Sequence, residues 1–312
     1  LYDITQRATA MYGPAGLASY AISALDMALW DLKGKLLDQP VYSLIGGRCR
    51  DKALVYCTSD DLDWSKELGF KHFKVSNPAH YDEGIDGLNI VEEKIAKARE
   101  AVGPDAELMY NPVMSFNVEF AIRIAERLRP YGLRWLEEPL VPTDLEGHIE
   151  LKKAINWVPL ATGEDHHGRW TFRQLVEHRA VDVLQPDIQW CGGLSEALKI
   201  YTIGEAAGLI TIPHASAATP WGQHFSVAMP ESPMAEFWMG STVVDNLVRR
   251  SQLVHIQHGL ISDLFIPKCL LVNGRLEGVI PALSRAVTGG ATIQLGSFML
   301  CLLSAPDEFQ LL

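Results

Sequence analysis

The chain has no Cys-x-x-Cys pair, and its cysteines are odd in number, five in 312 residues (Cys49, Cys57, Cys191, Cys269 and Cys301). That pattern excludes a disulfide framework and a zinc ribbon, and reads as reduced, mostly buried thiols in a cytoplasmic protein. Positive charge is also scarce. Lys and Arg total 27 against 38 Asp and Glu, a formal net charge of −11 with no local basic patch, so nucleic acid is not expected as a partner. The acidic balance does not exclude an anionic substrate, because a bound divalent cation can dominate the local field. Long apolar runs are missing too. The most apolar late segment, 291–305, falls short of the roughly 20 residues of a spanning helix, so no membrane partner is expected. The opening LYDITQRATA has neither the basic start nor the apolar stretch of a signal peptide, and a start at Leu1 inside helical-looking sequence reads as a fragment.

What remains is ordinary globular composition, 48% hydrophobic and 21% charged, with chain enough for one large barrel or two domains. Apolar runs ending in a polar residue recur along it. ELMYN closes on Asn111, LRWLE on Glu137, PLATGE on Glu164, DVLQPD on Asp187 and LITIPH on His214, at steps of 26, 27, 23 and 27 residues. A step of about 25 residues is one strand plus one covering helix of a parallel α/β unit, and polar groups at the carboxyl ends of barrel strands converge on one mouth.

The intervening sequence agrees. Strands are expected at 53–58, 69–77, AELMYN, LRWLEE, VPLATGE, AVDVLQPD, GLITIPH and MAEFWMG. Helical periodicity marks 17–37, VEEKIAKAREAV, NVEFAIRIAERLRPYG with Gly132 as its stop, DLEGHIELKKAI, TFRQLVEHR and LSEALKIYTIGEAAG. Strict alternation predicts a parallel sheet, and eight strands predict closure into a barrel. From about residue 241 the rhythm is lost. NLVRRSQLVHIQHGLISDLF is compatible with helix, LLVNGRLEG with a hairpin around Asn273-Gly274, and no pattern is evident after Gly278.

Glu137 and Glu164, on neighbouring strand ends, have the chemistry to chelate a hard cation, and Asn111 adds a carbonyl oxygen. Taken singly, Glu137-Glu138 exposed at a loop start is the more ordinary reading, since carboxylates at strand ends are often merely solvated; three oxygen donors in register on consecutive strands weigh against it. His214 should sit at the mouth as a base or as an ordinary loop histidine. Asp187 is placed to bond its far ring nitrogen, fixing the tautomer and raising basicity. Glu236 in MAEFW faces the mouth or is a surface charge.

At these residues the chain resembles the enolase superfamily, mandelate racemase subgroup, and within it the acid-sugar dehydratases of the rhamnonate type. The matching stretches run from about residue 17 to 276: AISALDMALWDLKGK, PVYSLIGG, MYNPVMS, LRWLEEPL, LATGEDHHG, LQPDIQWCGGL, IPHAS, AEFWMGS and VNGRL. The resemblance implies an α/β fold, a (β/α)7β TIM-like barrel with a truncated N-terminal capping domain. Residues 1–50 would be the remnant of that domain and its linker, 51–240 the barrel, and 241–312 a C-terminal segment, atypical after about 278. It implies Mg2+ on Asn111, Glu137 and Glu164, a base dyad of His214 and Asp187, Glu236 assisting at the substrate carboxylate, and a homo-oligomer.

Departures from the family pattern matter as much. Racemases of the subgroup carry Lys-x-Lys on the second strand, whereas this chain reads Lys74-Val75-Ser76. A serine takes no carbon-bound proton without an activating base, so two-sided proton exchange lacks a partner. Lys74 remains to polarise a carboxylate oxygen or to form an ordinary ion pair. Asn111 stands where aspartate is usual, which removes one negative charge from the metal set. His166 (in DHHG) and Trp221 (in TPWGQHF) are candidates for the substrate pocket; exposure in the loop and helix packing, respectively, are the competing readings. The tail after NGR resembles nothing expected of the family.

The implied activity is a Mg-dependent dehydration of a small-molecule sugar acid. His214 would abstract the C2 proton of an aldonate, and loss of the 3-hydroxyl would give a 2-keto-3-deoxy acid. Two alternatives stand beside it: a catalytically impaired homologue kept as a binding or assembly module, and a racemase or epimerase.

Overall fold

The computed structural model describes residues 1–13 and 15–239 and the backbone of 256–257, 260–261, 271–272 and 275–276. Three helices come first: α1 (Tyr2–Ala8), α2 (Leu17–Leu37) and α3 (Val41–Leu44). Strands and helices then alternate without exception: β1 (Ala53–Thr58), α4 (Leu62–Glu67), β2 (Phe73–Ser76), α5 (Gly84–Val102), β3 (Leu108–Asn111), α6 (Val118–Leu128), β4 (Leu136–Glu137), α7 (Leu145–Ala154), β5 (Leu160–Thr162), α8 (Gly168–Glu177), β6 (Val183–Leu184), α9 (Leu194–Ala206), β7 (Ile210–Thr211), α10 (Pro220–Ala228) and β8 (Met234–Trp238).

The eight strands are parallel, in the order β8-β1-β2-β3-β4-β5-β6-β7. The two ends of this sheet meet through hydrogen bonds from Thr211 N to the Glu231 carbonyl (2.9 Å) and from Ala217 N to the Glu236 carbonyl (2.7 Å). The result is the expected (β/α)7β barrel. Alternation along each strand divides the core in two. Tyr56, Met109, Trp135, Ala161, Val183, Ile212 and Met234 fill the inside of the barrel. The opposite faces, with Val55, Cys57, Leu108, Tyr110 and Phe237 among them, pack under the helices.

Polar side chains start the helices where the sequence supplies them. Asp61, Asn117, Asp144 and Thr219 each accept a backbone N–H of the first turn of α4, α6, α7 and α10. After α6 a short 3-10 turn ends at Gly132, whose φ of 58° makes it the stop the sequence indicated. Among the described cysteines, Cys57 and Cys191 are buried and Cys49 is exposed. No helix of the described residues is long and apolar enough to cross a membrane.

One expectation is corrected. Within the segment compatible with helix, Ile256–Gln257 (β9) and Leu260–Ile261 (β10) form an antiparallel pair, and β10 pairs with Ala53 and Leu54 of β1. The ladder between β1 and β2 begins only at Cys57, so the first residues of β1 have hydrogen bonds to offer, and β10 takes them. The chain divides into two compact units, 1–265 and 266–312. In the second, Leu271–Val272 (β11) pairs antiparallel with Arg275–Leu276 (β12), the hairpin expected around residues 273–274. The tail after Gly278 lies outside the described residues.

Candidate active site

The carboxyl ends of the strands carry two tiers of polar side chains. The lower tier lies inside the barrel and is sealed from solvent. Lys74 on β2 reaches across β1 to Glu236 on β8 at 2.7 Å, and also pairs with Glu137 on β4. All three side chains are at most 2% exposed. Glu236 further accepts from Thr58 Oγ1 (2.5 Å) and Ala215 N (2.9 Å), and Glu137 accepts from Asn111 Nδ2 (3.0 Å), Trp135 Nε1 (2.8 Å) and Gln185 Nε2 (2.9 Å). Burial by itself opposes the charged form of Lys74, but the Glu137 and Glu236 carboxylates outweigh it and hold the ammonium above its ordinary pKa. Burial likewise opposes ionisation of Glu236, and Lys74 overrides it, so this carboxyl lies below the usual range and stays ionised.

The upper tier faces the mouth. His214, just past β7, bonds Asp187 through Nδ1 (Nδ1 to Oδ2, 2.7 Å), and its Nε2 lies 3.5 Å from Glu164 Oε1. Asp187 therefore fixes the ring so that Nε2 is the working nitrogen. Burial pulls the imidazole pKa down, yet Glu164, Asp187 and Glu236 raise it to about 10. Beside Glu164 stand Glu138 and Asp165, and one carboxylate oxygen from each of the three lies within 4.8 Å of the others. Burial, then mutual repulsion, lifts the Glu138 carboxyl well above its ordinary value, and Glu164 is raised chiefly by burial.

The backbone bends to deliver these groups. Glu138 has φ of +45° and Ala215, next to His214, +50°, left-handed conformations that non-glycine residues adopt at a cost. Gly163, just before Glu164, has φ of +143°, and a Cβ there would lie 2.8 Å from Gln185 N and from the Phe172 ring. Only glycine lets β5 pass this close to β6.

Of the residues singled out in the sequence, Glu164, Asp187 and His214 meet at the mouth. Asn111, Glu137, Glu236 and Lys74 meet in the buried tier. Asn111 Oδ1 turns back to accept Val113 N at 2.7 Å. Ser76 is bound to Asp60 Oδ2 and to Lys94 Nζ (3.1 Å). His166 is not with these groups: it is 4% exposed, and its ring packs against His148 and Phe172. Trp221 packs on the hydrophobic core from α10.

Four residues at the mouth escaped the sequence reading. Glu138 and Asp165 were passed over in favour of their neighbours in Glu-Glu-Pro and Gly-Glu-Asp. Trp190 lies with its ring 5.4 Å from that of His214, and Tyr20 of α2 packs on Trp190 (5.9 Å) and His167 (5.6 Å). Aromatic residues three places after Asp187 and in the middle of a helix carried no signal of their own.

The donor set suits a hard cation. Glu138 is 1% exposed, and its Oε2 has no hydrogen-bond partner, an arrangement costly for a carboxylate unless positive charge is supplied.

Comparison with known proteins identifies the family. Residues 61–262 match the family model described as enolase C-terminal domain-like, and residues 2–46 match the mandelate racemase / muconate lactonizing enzyme N-terminal domain. The L-rhamnonate dehydratase of Saccharopolyspora erythraea is 41% identical over 278 residues, covering 89% of this chain and 68% of that enzyme. The crystal structure of the L-rhamnonate dehydratase of Gibberella zeae superposes with a TM-score of 0.75 at 38% identity, over 78% of this chain and 62% of that one. A second Gibberella zeae rhamnonate dehydratase structure, complexed with Mg, gives a TM-score of 0.74 at 39% identity, over 76% of this chain and 58% of that one. The chain thus spans about three fifths of the length of these solved relatives.

Proposed function

The chain belongs to the mandelate racemase / muconate lactonizing enzyme family of the enolase superfamily, and from that membership we propose that it is a Mg2+-dependent acid-sugar dehydratase, a hydro-lyase acting on an aldonate of the rhamnonate type. The observation that carries the reading is one-sidedness. The His214–Asp187 dyad faces Glu164 at the mouth, while the end of β2, the strand position of the racemases' second base, holds Ser76 tied to Asp60 and Lys94. One base with no partner opposite suits elimination better than inversion of a carbon centre.

His214 Nε2 is the atom that takes the C2 proton, with Asp187 holding Nδ1–H and stabilising the imidazolium that results. Glu164, with the carboxylates around it, would hold the cation. When bound, Mg2+ supplies a Lewis acid that stabilises negative charge developing on the substrate carboxylate. Neutralising Glu164 removes the carboxylate that contributes most to holding His214 up at about 10, which returns the imidazole toward a usable base at neutral pH. The protonated His214 then has a proton to give to the departing 3-hydroxyl, if that group lies on the same face. Lys74 and Glu236 stay beneath as a fixed, charged floor, and Trp190 and Tyr20 narrow the access of water from the α2 side.

The test is incubation with a panel of aldonic acids and Mg2+, with the 2-keto-3-deoxy product read as its semicarbazone. Product from at least one acid, abolished by His214→Asn, supports the reading. Deuterium exchange at C2 without loss of water would move the assignment to a racemase or epimerase, and no turnover of any acid by folded protein would overturn it.

A further inference from the structure

We propose that helix α2 positions the base: Ser19, Ser23 and Asp26, on one face of that helix, grip the turn after β6 so that Asp187 and Trp190 hold the His214 imidazole in its working orientation. The inference rests on the reading above in taking His214 and Asp187 as the base dyad.

The need for a grip lies in α9. That helix starts at Leu194 behind Gly193, which has no side chain to cap it, so its first N–H groups require an acceptor from elsewhere. Asp26 of α2 supplies one. Its Oδ2 accepts from Ser195 N at 2.8 Å and its Oδ1 from Ser195 Oγ at 2.6 Å, and that hydroxyl in turn accepts from Trp30 Nε1 at 2.9 Å. The carboxylate also faces the positive end of the α9 dipole. Gly193, at φ of +89°, makes room for it: a Cβ there would lie 2.6 Å from Asp26 Cβ and Oδ2.

One and two turns back along α2 the same face continues the grip. Ser23 Oγ accepts from Gly192 N at 2.9 Å while its proton goes to the Ser19 carbonyl at 2.8 Å, and Ser19 Oγ donates to the Trp190 carbonyl. Ser19, Ser23 and Asp26 are at most 6% exposed, so water does not compete for these bonds. The turn they hold is closed on Asp187, whose carbonyl accepts from Trp190 N (3.0 Å) and Cys191 N (2.7 Å) and whose Oδ1 accepts from Gln189 N (2.6 Å). With Oδ1 engaged, Oδ2 is left for His214 Nδ1 at 2.7 Å. The Trp190 ring lies 5.4 Å from the imidazole, and Tyr20 of α2 packs on that indole. A shift of the turn therefore moves both neighbours of the base together. The grip also crosses from the segment matching the N-terminal domain of the family to the segment matching its C-terminal domain. If it served the fold alone, cutting it would cost stability and leave the dyad unchanged.

The experiment reads the low-field proton resonance of His214 Nδ1–H, bonded to Asp187, in the full chain without metal or substrate, assigned by its loss in His214→Asn. Steady-state dehydration kinetics run alongside. Asp26→Ala, and Ser19→Ala combined with Ser23→Ala, are expected to broaden or shift that resonance. They should lower kcat by about tenfold to a hundredfold with KM within about threefold, as a misplaced base requires. Asp26→Asn keeps an oxygen for Ser195 N, so it should retain the resonance and a kcat within about threefold of the parent's. Met27→Ala is the control. It empties a buried core position of α2 without cutting any of these hydrogen bonds, so it should lower the thermal midpoint and leave resonance and kcat unchanged. If Asp26→Ala does not fold, Ser19→Ala alone, which removes a single hydrogen bond, carries the comparison. An unchanged resonance and kcat in the folded alanine variants overturn the proposal, and so does an equal loss in Met27→Ala. Because the resonance needs no turnover, it decides the grip even where the product assay rejects dehydration.

Discussion

Lys74 and Glu236 meet at 2.7 Å across β1, so a single ion pair ties the second strand of the barrel to the eighth, over the strand that pairs with both. Because both side chains are buried, removing one leaves the other charged without a solvent shell. Lys74→Met is expected to lower stability by about 3–5 kcal/mol, since it strands Glu236 and Glu137 together. Urea unfolding of the variant measures it. The pair Lys74→Met with Glu236→Gln should recover part of that loss, and a variant as stable as the parent would show the pair to be dispensable.

The dyad at the mouth makes a separate prediction for rate. His214→Asn keeps a polar side chain of similar reach but has no ring nitrogen to take a proton, and should cost about 10²–10⁴ in kcat. Asp187→Asn should act through His214. It loses the anion that stabilises imidazolium and presents an amide to Nδ1, so kcat should fall while KM changes little. Steady-state dehydration kinetics of the two variants check this. Equal loss in KM and none in kcat would place Asp187 in substrate binding.

Much of this was legible because barrel strands announce themselves by an apolar run with a polar terminus. Asn111, Glu137, Glu164, Asp187 and His214 all fall at strand ends or just beyond. What the sequence withheld was which way each terminus faces. In Glu137-Glu138 the strand stops after the first glutamate. The reversal at Glu138, with φ of +45°, sends one carboxylate down to Lys74 and the other up to Glu164, and a shift of one residue would exchange them. His166 went astray for a related reason. A histidine in a loop reads as exposed, but the loop after β5 is short, and its ring packs inward against His148 of α7 and Phe172 of α8. The β9–β10 pair was hidden because its apolar pattern fits a helix equally well, and only the unpaired start of β1 decides for strand.

Burial and charge at the mouth fix the direction in which pH acts on the metal-free protein. The folded pKa of His214 is about 10 against an ordinary 6.5, so its stabilising contribution is complete below pH 6.5 and is lost as pH climbs through 10. Glu138 and Glu164 act in the same sense. Their carboxyls hold protons more tightly folded than unfolded, and stability falls as pH rises past the ordinary carboxylate value. Glu236, held low, contributes fully above its ordinary value of 4.5 and adds no slope at neutral pH. The thermal midpoint of metal-free protein should therefore decline between pH 6.5 and 10. Saturating Mg2+ should flatten that decline, because the ion substitutes for the lost protons. Melting curves by circular dichroism across this range test both statements, and a midpoint that rises with pH would contradict the charge arrangement.

Gly163 offers the sharpest test of how the fold sets the site. Its φ of +143° is a region L side chains rarely enter, and the added methyl of Gly163→Ala would meet backbone at Gln185 N, 2.8 Å away, as well as the Phe172 ring. The aromatic ring can shift; the β6 backbone cannot without moving Gln185, whose amide bonds Glu137. Strain and overpacking together should cost about 1–3 kcal/mol or more, against the fraction of a kcal/mol expected where a glycine has no such constraint. The functional consequence follows from position, since the next residue is Glu164. Gly163→Ala should weaken Mn2+ binding, through displacement of Glu164, even at temperatures well below its melting midpoint. Gly208→Ala is the control: it carries a positive φ of 76° with nothing within 4 Å of the added Cβ, and should lower stability without touching ion affinity. Equal ion affinity in the two variants would mean that the β5–β6 approach shapes the fold but not the mouth.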